Sequence, residues 1–274
     1  MTSYLEIAAE IAREAGALTT KYFDRGVRFE SKGEQDLVTE ADRASEALIL
    51  ERLRSHFPAH TIVAEESGLH DKSSEYRWYV DPVDGTTNFA HGYPVYNVTL
   101  ALEHQGELIA GVVYDPTRDE MFTAERGSGA YLNHRRIQVS AAPGIEVALL
   151  ATGFPSRRRH LDVNIHFFYP LAIMTHGIRR SGSAAIDLAH VACGRLDGFW
   201  EFGLSPWDMA AGKLLIEEAG GQVTDMKGRA HRLDGAHLLA TNGKIHPGTL
   251  KIFTDIFEGR FVYPLPEITT VHDA

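Results

Sequence analysis

The chain has a single cysteine, Cys193, no internal repeats, no apolar stretch approaching membrane-spanning length, and fewer basic than acidic residues. Each shortage excludes something. One cysteine rules out an intramolecular disulfide framework and suits a reducing cytoplasm. Cys193 itself reads as a packing residue on an alanine-rich helix, with a reactive thiol as the alternative. A spanning helix needs about 20 consecutive apolar residues, so no membrane association is expected. Glu6, Glu10, Arg13 and Glu14 fall inside the first helical pattern, which does not read as a signal peptide. With 27 basic against 37 acidic residues, the net charge of −10 speaks against general nucleic-acid binding.

What is present describes an ordinary soluble protein: 274 residues, 44% hydrophobic and 23% charged, enough for one large domain or two halves sharing an interface. Helical and strand patterns alternate, which predicts a layered α/β fold. Leu5, Ala8, Ile11, Ala15, Leu18 and Tyr22 form one helical stripe. The segment Ser140-Ala141-Ala142-Pro143-Gly144 is the expected boundary between an N-terminal half, 1–142, and a C-terminal half, 143–274.

The chain is organised around Trp78-Tyr79-Val80-Asp81-Pro82-Val83-Asp84-Gly85-Thr86-Thr87-Asn88-Phe89. Its aromatic and β-branched start predicts a buried strand, expected to break at Pro82 and turn at Gly85. Two carboxylates and two hydroxyls then stand at the carboxyl end of a strand, beside a backbone that glycine leaves open to close approach. Hard divalent cations take oxygen ligands grouped in this way, backbone carbonyls such as that of Val83 included. An ordinary strand-to-turn junction uses the same residue types, so the remaining acids decide. Thr61 to Ala64 forms a second strand that ends in Glu65-Glu66. Two buried strands that each end in paired acids are poorly explained by solubility, because like charges so placed call for a cation.

Two further acids have double readings. Thr39 is an expected N-cap, and Asp42 after it is either a first-turn acid complementing the helix dipole or part of the site. Asp208, after Ser205-Pro206-Trp207, is likewise a dipole-compensating acid or a ligand. Lys32, in the polar stretch Ser31 to Gln35, is either a surface charge or a group near the cations. Ser181-Gly182-Ser183-Ala184 opens a helix whose exposed amides can bind ligand oxygens. Glu201 lies on a strand, and Arg157 to Arg159 form a basic loop read as solvated surface, with phosphate steering or a partner contact as the alternatives.

The motifs Asp81-Pro82-Val83-Asp84-Gly85-Thr86-Thr87-Asn88-Phe89, Glu65-Glu66, Ser205-Pro206-Trp207-Asp208 and Glu218-Ala219-Gly220-Gly221 resemble the inositol monophosphatase family over nearly the whole chain and in family order. The resemblance implies a five-layer α-β-α-β-α sandwich shared with fructose-1,6-bisphosphatases. It also implies a Mg²⁺-dependent phosphomonoesterase, typically dimeric, inhibited by lithium and acting on a small phosphomonoester. By that resemblance Glu65, Asp81, Asp84, Asp208 and the Val83 carbonyl are Mg²⁺ ligands. Glu66 holds a water, and Thr86 with Asp42 activates the attacking water. The Gly85 and Thr86 amides receive phosphate oxygens, Gly182, Ser183, Ala184 and Glu201 meet polyol hydroxyls, and Lys32 matches a loop lysine near the metal site. Metal ions about 3.5–4 Å apart can generate a nucleophile and stabilise the leaving alkoxide, so no covalent protein intermediate is required.

Inositol 1-phosphate is the expected substrate. Fructose 1,6-bisphosphate, histidinol phosphate and a 3′-phosphonucleotide are the alternatives within the resembling family. A haloacid dehalogenase-type phosphatase carries D-x-D-G-T, which Val83-Asp84-Gly85-Thr86 imitates, but here the acids are spaced D-x-x-D with Pro82 between them. A non-enzymatic alternative is an interaction protein, since some bacterial relatives serve RNA-polymerase-associated complexes.

Overall fold

The computed structural model describes residues 3–26, 29–33, 36–154 and 162–261. Helix α1 (Tyr4–Arg25) begins where the Ser3 hydroxyl accepts the Glu6 N–H and the Glu6 carboxylate accepts the Ser3 N–H, a reciprocal cap that satisfies two otherwise orphaned donors. Ala8, Ile11 and Ala15 face inward as the sequence predicts, joined by Ile7, Ala12, Gly16 and Thr19. Gly16 is there for space, because a Cβ would sit 2.4 Å from the Tyr114 ring.

Strands β1 (Phe29–Gly33) and β2 (Asp36–Thr39) pair as an antiparallel hairpin. The sequence suggests a loop over Ser31 to Gln35. In the structure the strand continues to Gly33, and Glu34 and Gln35 lie outside the described residues. The Lys32 side chain also lies outside the description, as do Arg157 to Arg159. Helix α2 (Glu40–His56) follows, capped by Thr39.

The larger sheet contains β3 (Thr61–Ala64), β4 (Gly68–His70), β5 (Tyr76–Asp84), β6 (Asn97–His104), β7 (Glu107–Asp115), β8 (Glu120–Glu125), β9 (Gly129–Leu132) and β10 (Arg135–Ile137). Their spatial order is β10-β9-β8-β7-β6-β5-β3-β4. Only β3 and β5 run parallel to each other. Contrary to the expected break at Pro82, β5 continues to Asp84. Asp81 stands opposite Thr99 and Asp84 opposite Asn97, so three steps on β5 match two on β6. This bulge absorbs the residue that has no N–H to give the ladder, and it re-aims the acids on either side.

The smaller sheet contains β11 (Leu149–Thr152), β12 (Gly177–Arg179), β13 (Gly198–Phe202), β14 (Gln222–Thr224) and β15 (His237–Thr241), ordered β12-β11-β13-β15-β14. A short helix α3 (Thr86–Ala90) follows β5, and the remaining helices are α4 (Ile165–Met174), α5 (Ala184–Ala192), α6 (Pro206–Glu218) and α7 (His246–Phe257).

Strand alternation builds the layers, since neighbouring residues point to opposite faces. Trp78 and Val80 pack with Ile11 of α1 and Leu53 of α2. Tyr79, between them, joins Leu188 of α5, Leu214 of α6 and Phe199 of β13. Trp200, the next residue on β13, turns to Phe167 of α4 and Phe253 of α7. Helix pair, sheet, helix pair, sheet and helix pair therefore stack in the five-layer order expected.

The central helices approach closely because α6 presents small residues. A Cβ on Gly212 would lie 2.5 Å from that of Leu188, and one on Gly111 would meet the Ala211 backbone at 3.1 Å. At the far end of α6 the two Glu218 carboxylate oxygens accept the Gly127 and Gly129 N–H groups, each at 2.9 Å. The helix that carries Asp208 in its first turn is thereby tied to the larger sheet.

His246, in the first turn of α7, is buried with one ring nitrogen 2.9 Å from Thr224 Oγ1 and the other 3.0 Å from Thr241 Oγ1. The Thr224 hydroxyl donates to the Asp225 carbonyl, so it accepts from His246 Nε2–H and leaves Nδ1 as the acceptor of a neutral ring. Burial pushes the His246 pKa down to about 4. A folded-state pKa below the unfolded value gives stability that is complete above the ordinary histidine pKa and lost as pH falls towards 4. His246 alone is expected to remove about 3 kcal/mol between pH 7 and pH 4. Urea unfolding of the wild type and His246→Gln at both pH values checks this: the variant should show a smaller drop by about that amount.

Candidate active site

The β5 bulge and the turn after it carry the first group of acids. Asp81 is buried, and its Oδ1 accepts the Val83 N–H at 3.0 Å. The Pro82 carbonyl accepts the Ser45 hydroxyl of α2 at 2.9 Å. Gly85 has φ 98°, and a Cβ there would stand 2.8 Å from the Val95 carbonyl oxygen. Only glycine suits both the conformation and the space.

Thr86 opens α3 with its hydroxyl 3.0 Å from Asp42 Oδ1 and 3.0 Å from the Val83 carbonyl. One proton faces two acceptors, so the oxygen lone pairs remain able to accept from a ligand or water. Asp42 is fully buried and its other oxygen, Oδ2, accepts both the Thr39 N–H at 2.9 Å and the Thr39 hydroxyl. Burial pushes its pKa up while these hydrogen bonds pull it down. Asp42 is therefore both the capping partner of α2 and the acceptor that fixes Thr86, which joins the two readings the sequence leaves open.

Asp84 joins the two sheets. Its Oδ2 accepts from Asn97 Nδ2 at 2.9 Å, Ser183 Oγ at 2.6 Å and Ala185 N at 2.8 Å. The start of α5 thus docks on this carboxylate, and the bonds oppose the upward push of burial on its pKa. Asp208 likewise serves its helix and the cavity: Oδ2 accepts the Ser205 N–H at 2.7 Å, and burial together with Asp84 pushes its pKa up to about 7. Glu65 follows β3 with its N–H on the Val80 carbonyl at 3.1 Å, and the Glu66 N–H is held by Glu46 Oε2 at 2.8 Å.

One cavity of about 670 Å³ is lined by Glu65, Glu66, Asp81, Val83, Asp84, Gly85, Thr86, Gly182, Ser183, Ala184, Glu201 and Asp208. Of the site residues inferred from sequence among the described residues, Asp42 alone stands behind the lining, reached through Thr86. Glu201 occupies space that Gly153 leaves open, since a Cβ on Gly153 would fall 2.1 Å from Glu201 Oε2. Burial, then Asp208 and Asp187, push the Glu201 pKa well up.

The acids act on one another. Burial is the largest upward influence on Asp81, followed by Glu65, Asp84 and Asp208. Among the described residues no three acidic, histidine or cysteine side chains form a ready-made metal cage. Carboxylates that repel one another gain by a cation between them, and an all-oxygen donor set with a backbone carbonyl suits a hard divalent ion. The residues present fit such an ion.

The model of the inositol monophosphatase family matches residues 1–258. The chain belongs to that family. Membership makes it a phosphatase, in a family that is generally metal-dependent. A Pseudomonas aeruginosa protein named Nus factor SuhB is 48% identical over 252 residues, covering 89% of this chain and 93% of the relative. An inositol-1-monophosphatase of a Synechocystis species is 49% identical over 249 residues, covering 90% and 87%. Among solved structures, the inositol monophosphatase from an Anabaena species superposes with a TM-score of 0.84 at 45% identity, covering 97% of this chain and 98% of that one. The Thermotoga maritima IMPase gives 0.86 at 35% identity, covering 94% and 99%.

Within this inositol monophosphatase fold, several residues at the site escape sequence reasoning. Asn97 bridges Asp84 and Ser183, Glu46 fixes Glu66, and Asp187 and Arg180 line the cavity. Asp187 is buried and its pKa is pushed up to about 8, chiefly by burial. The available signal was a lone polar residue inside an apolar run: Asn97 between Tyr96 and Val98, Asp187 between Ile186 and Leu188.

Proposed function

We propose that this phosphatase hydrolyses myo-inositol 1-phosphate and related polyol phosphates with Mg²⁺, as a cytoplasmic homodimer. One observation carries the reading. A threonine hydroxyl fixed by a buried aspartate shares a cavity with the carboxylates of Glu65, Glu66, Asp81, Asp84 and Asp208, while Glu201 and the Gly182–Ala184 turn line the same space.

Glu65, Asp81, Asp84, Asp208 and the Val83 carbonyl hold the metal. When bound, Mg²⁺ supplies Lewis-acid stabilisation of phosphoryl charge and lowers the pKa of water. Asp42 accepts the Thr86 proton, so Thr86 presents lone pairs that orient a water for in-line attack. Glu66 accepts a hydrogen from a second water. The amides of Gly85 and Thr86 donate to phosphate oxygens, and Glu201 accepts hydroxyl protons of the polyol.

Phosphate release from inositol 1-phosphate, with and without Mg²⁺ and with added Li⁺, tests this. Release should need Mg²⁺ and fall with Li⁺. Preference for fructose 1,6-bisphosphate, histidinol phosphate or a 3′-phosphonucleotide would keep the mechanism and change the substrate. No hydrolysis of any of these by folded, Mg²⁺-loaded protein would sink the reading.

The relative named Nus factor SuhB favours a second role, as a partner in RNA-polymerase-associated complexes. Reversing the charges of Arg157, Arg158 and Arg159 should then abolish capture of RNA polymerase while hydrolysis stays intact. Unchanged capture would remove those arginines from the interface.

A further inference from the structure

We propose that Asn88 is a positioning residue that straps the polyol-reading turn of one sheet to the phosphate-binding loop of the other. The proposal rests on the reading of Gly182, Ser183 and Ala184 as the turn that meets substrate hydroxyls. Asn88 lies on α3, does not line the cavity, and therefore touches no substrate.

Its Nδ2 is 2.9 Å from the Val95 carbonyl oxygen and 2.8 Å from that of Ser181. Carbonyl oxygens only accept, so both amide hydrogens are committed and the orientation of the side chain is fixed. The two acceptors belong to different parts of the molecule. Val95 O is the atom that would meet a Cβ on Gly85, and so marks the wall of the phosphate loop. Ser181 starts the turn between β12 and α5, on the smaller sheet. Gly182 follows with φ 87°, and a Cβ there would meet Asn88 Nδ2 at 2.9 Å. No space separates the strap from the turn.

The turn has a second anchor. Ser183 Oγ and Ala185 N both donate to Asp84 Oδ2. Loss of Asn88 therefore leaves Ser183 and Asp84 joined and frees the Ser181–Gly182 end of the turn from α3, with only the Ser181 hydroxyl, on the Ser183 carbonyl and beside Asp187, still holding it. That division separates the two ends of a substrate. The phosphoryl end stays aligned, and the hydroxyl end loses its fixed distance from it.

The experiment compares Asn88→Ala and Asn88→Asp with wild type on inositol 1-phosphate and on phenyl phosphate, which has no hydroxyls to read. The Asp variant has the same shape but sets a carboxylate oxygen against two carbonyls. We expect KM for inositol 1-phosphate to rise about tenfold in the Ala variant, a loss of about 1.4 kcal/mol, and further in the Asp variant. For phenyl phosphate, kcat and KM should stay near wild type. Equal losses on both substrates, or none on either, would overturn the proposal.

Hydrogen exchange of the intact protein supplies a readout independent of activity. Amides of residues 177–187 should exchange faster in Asn88→Ala, with β5 to β7 unchanged. Unchanged exchange in that segment would overturn the strap even if wild type hydrolysed neither compound, an outcome that would separately remove the functional reading.

Discussion

Thr86→Ala is expected to lower phosphate release by about 10²–10⁴-fold, the range for losing a positioned proton-transfer group, with KM little changed and the fold retained. The side chain is short and half-buried, so its truncation leaves no large cavity. Its hydroxyl has Asp42 Oδ1 and the Val83 carbonyl as neighbours, each at 3.0 Å. Asp42 has no other route to the cavity than through this hydroxyl, which makes the two residues one unit. Asp42→Asn should therefore lose activity to a similar degree, and the double variant should be hardly worse than either single one. Steady-state kinetics of the three variants and of Thr86→Ser, which keeps the hydroxyl, decide the matter. Multiplying losses in the double variant would mean that Thr86 and Asp42 act separately.

The second large effect is expected from Asp84→Asn: activity lower by roughly 10²–10³-fold or more, the scale of removing one group that stabilises transition-state charge. The substitution preserves shape, and an amide oxygen can still accept from Asn97, Ser183 and Ala185. What it removes is charge. Asp84 raises the proton affinity of Asp81 and of Asp208, so metal-free protein should be no less stable for the change. Ligand binding raises the melting temperature of any protein whose folded form alone binds it. Wild type should melt higher as Mg²⁺ is added, and Asp84→Asn should have lost most of that response. An unaltered Mg²⁺ dependence of melting would remove Asp84 from the ligand set.

Much of this arrangement was legible in the sequence, for identifiable reasons. The α1 stripe, the capping residue Thr39, and the aromatic start of β5 each express a local rule whose signal lies within a few residues. The acids at Glu65, Asp81 and Asp84 stood out because charge at the end of an apolar run is costly unless used. β4, β10, β12 and β14 are three residues long, too short for alternation to register. The continuation of β5 through Pro82 was hidden because a bulge depends on the partner strand, whose register no local pattern fixes. The same holds for Asn97, Glu46 and Asp187. The partners of Asn97 and Glu46 lie far away in sequence, 86 residues in the case of Asn97 and Ser183, and only packing brings them together.

Asp42 and Asp208 each reach back to the N–H of the residue that precedes their own helix, and Ser183, the cap of α5, donates to Asp84. Asp208 and Ser183 in the cavity lining, and Asp42 directly behind it, are thus also groups that start three helices. A helix start cannot fray without disarming the site, and the site cannot be disordered while the helices stand. Activity and fold are therefore expected to be lost together on heating, and an engineered gain in helix capping away from these three positions should raise the working temperature as well.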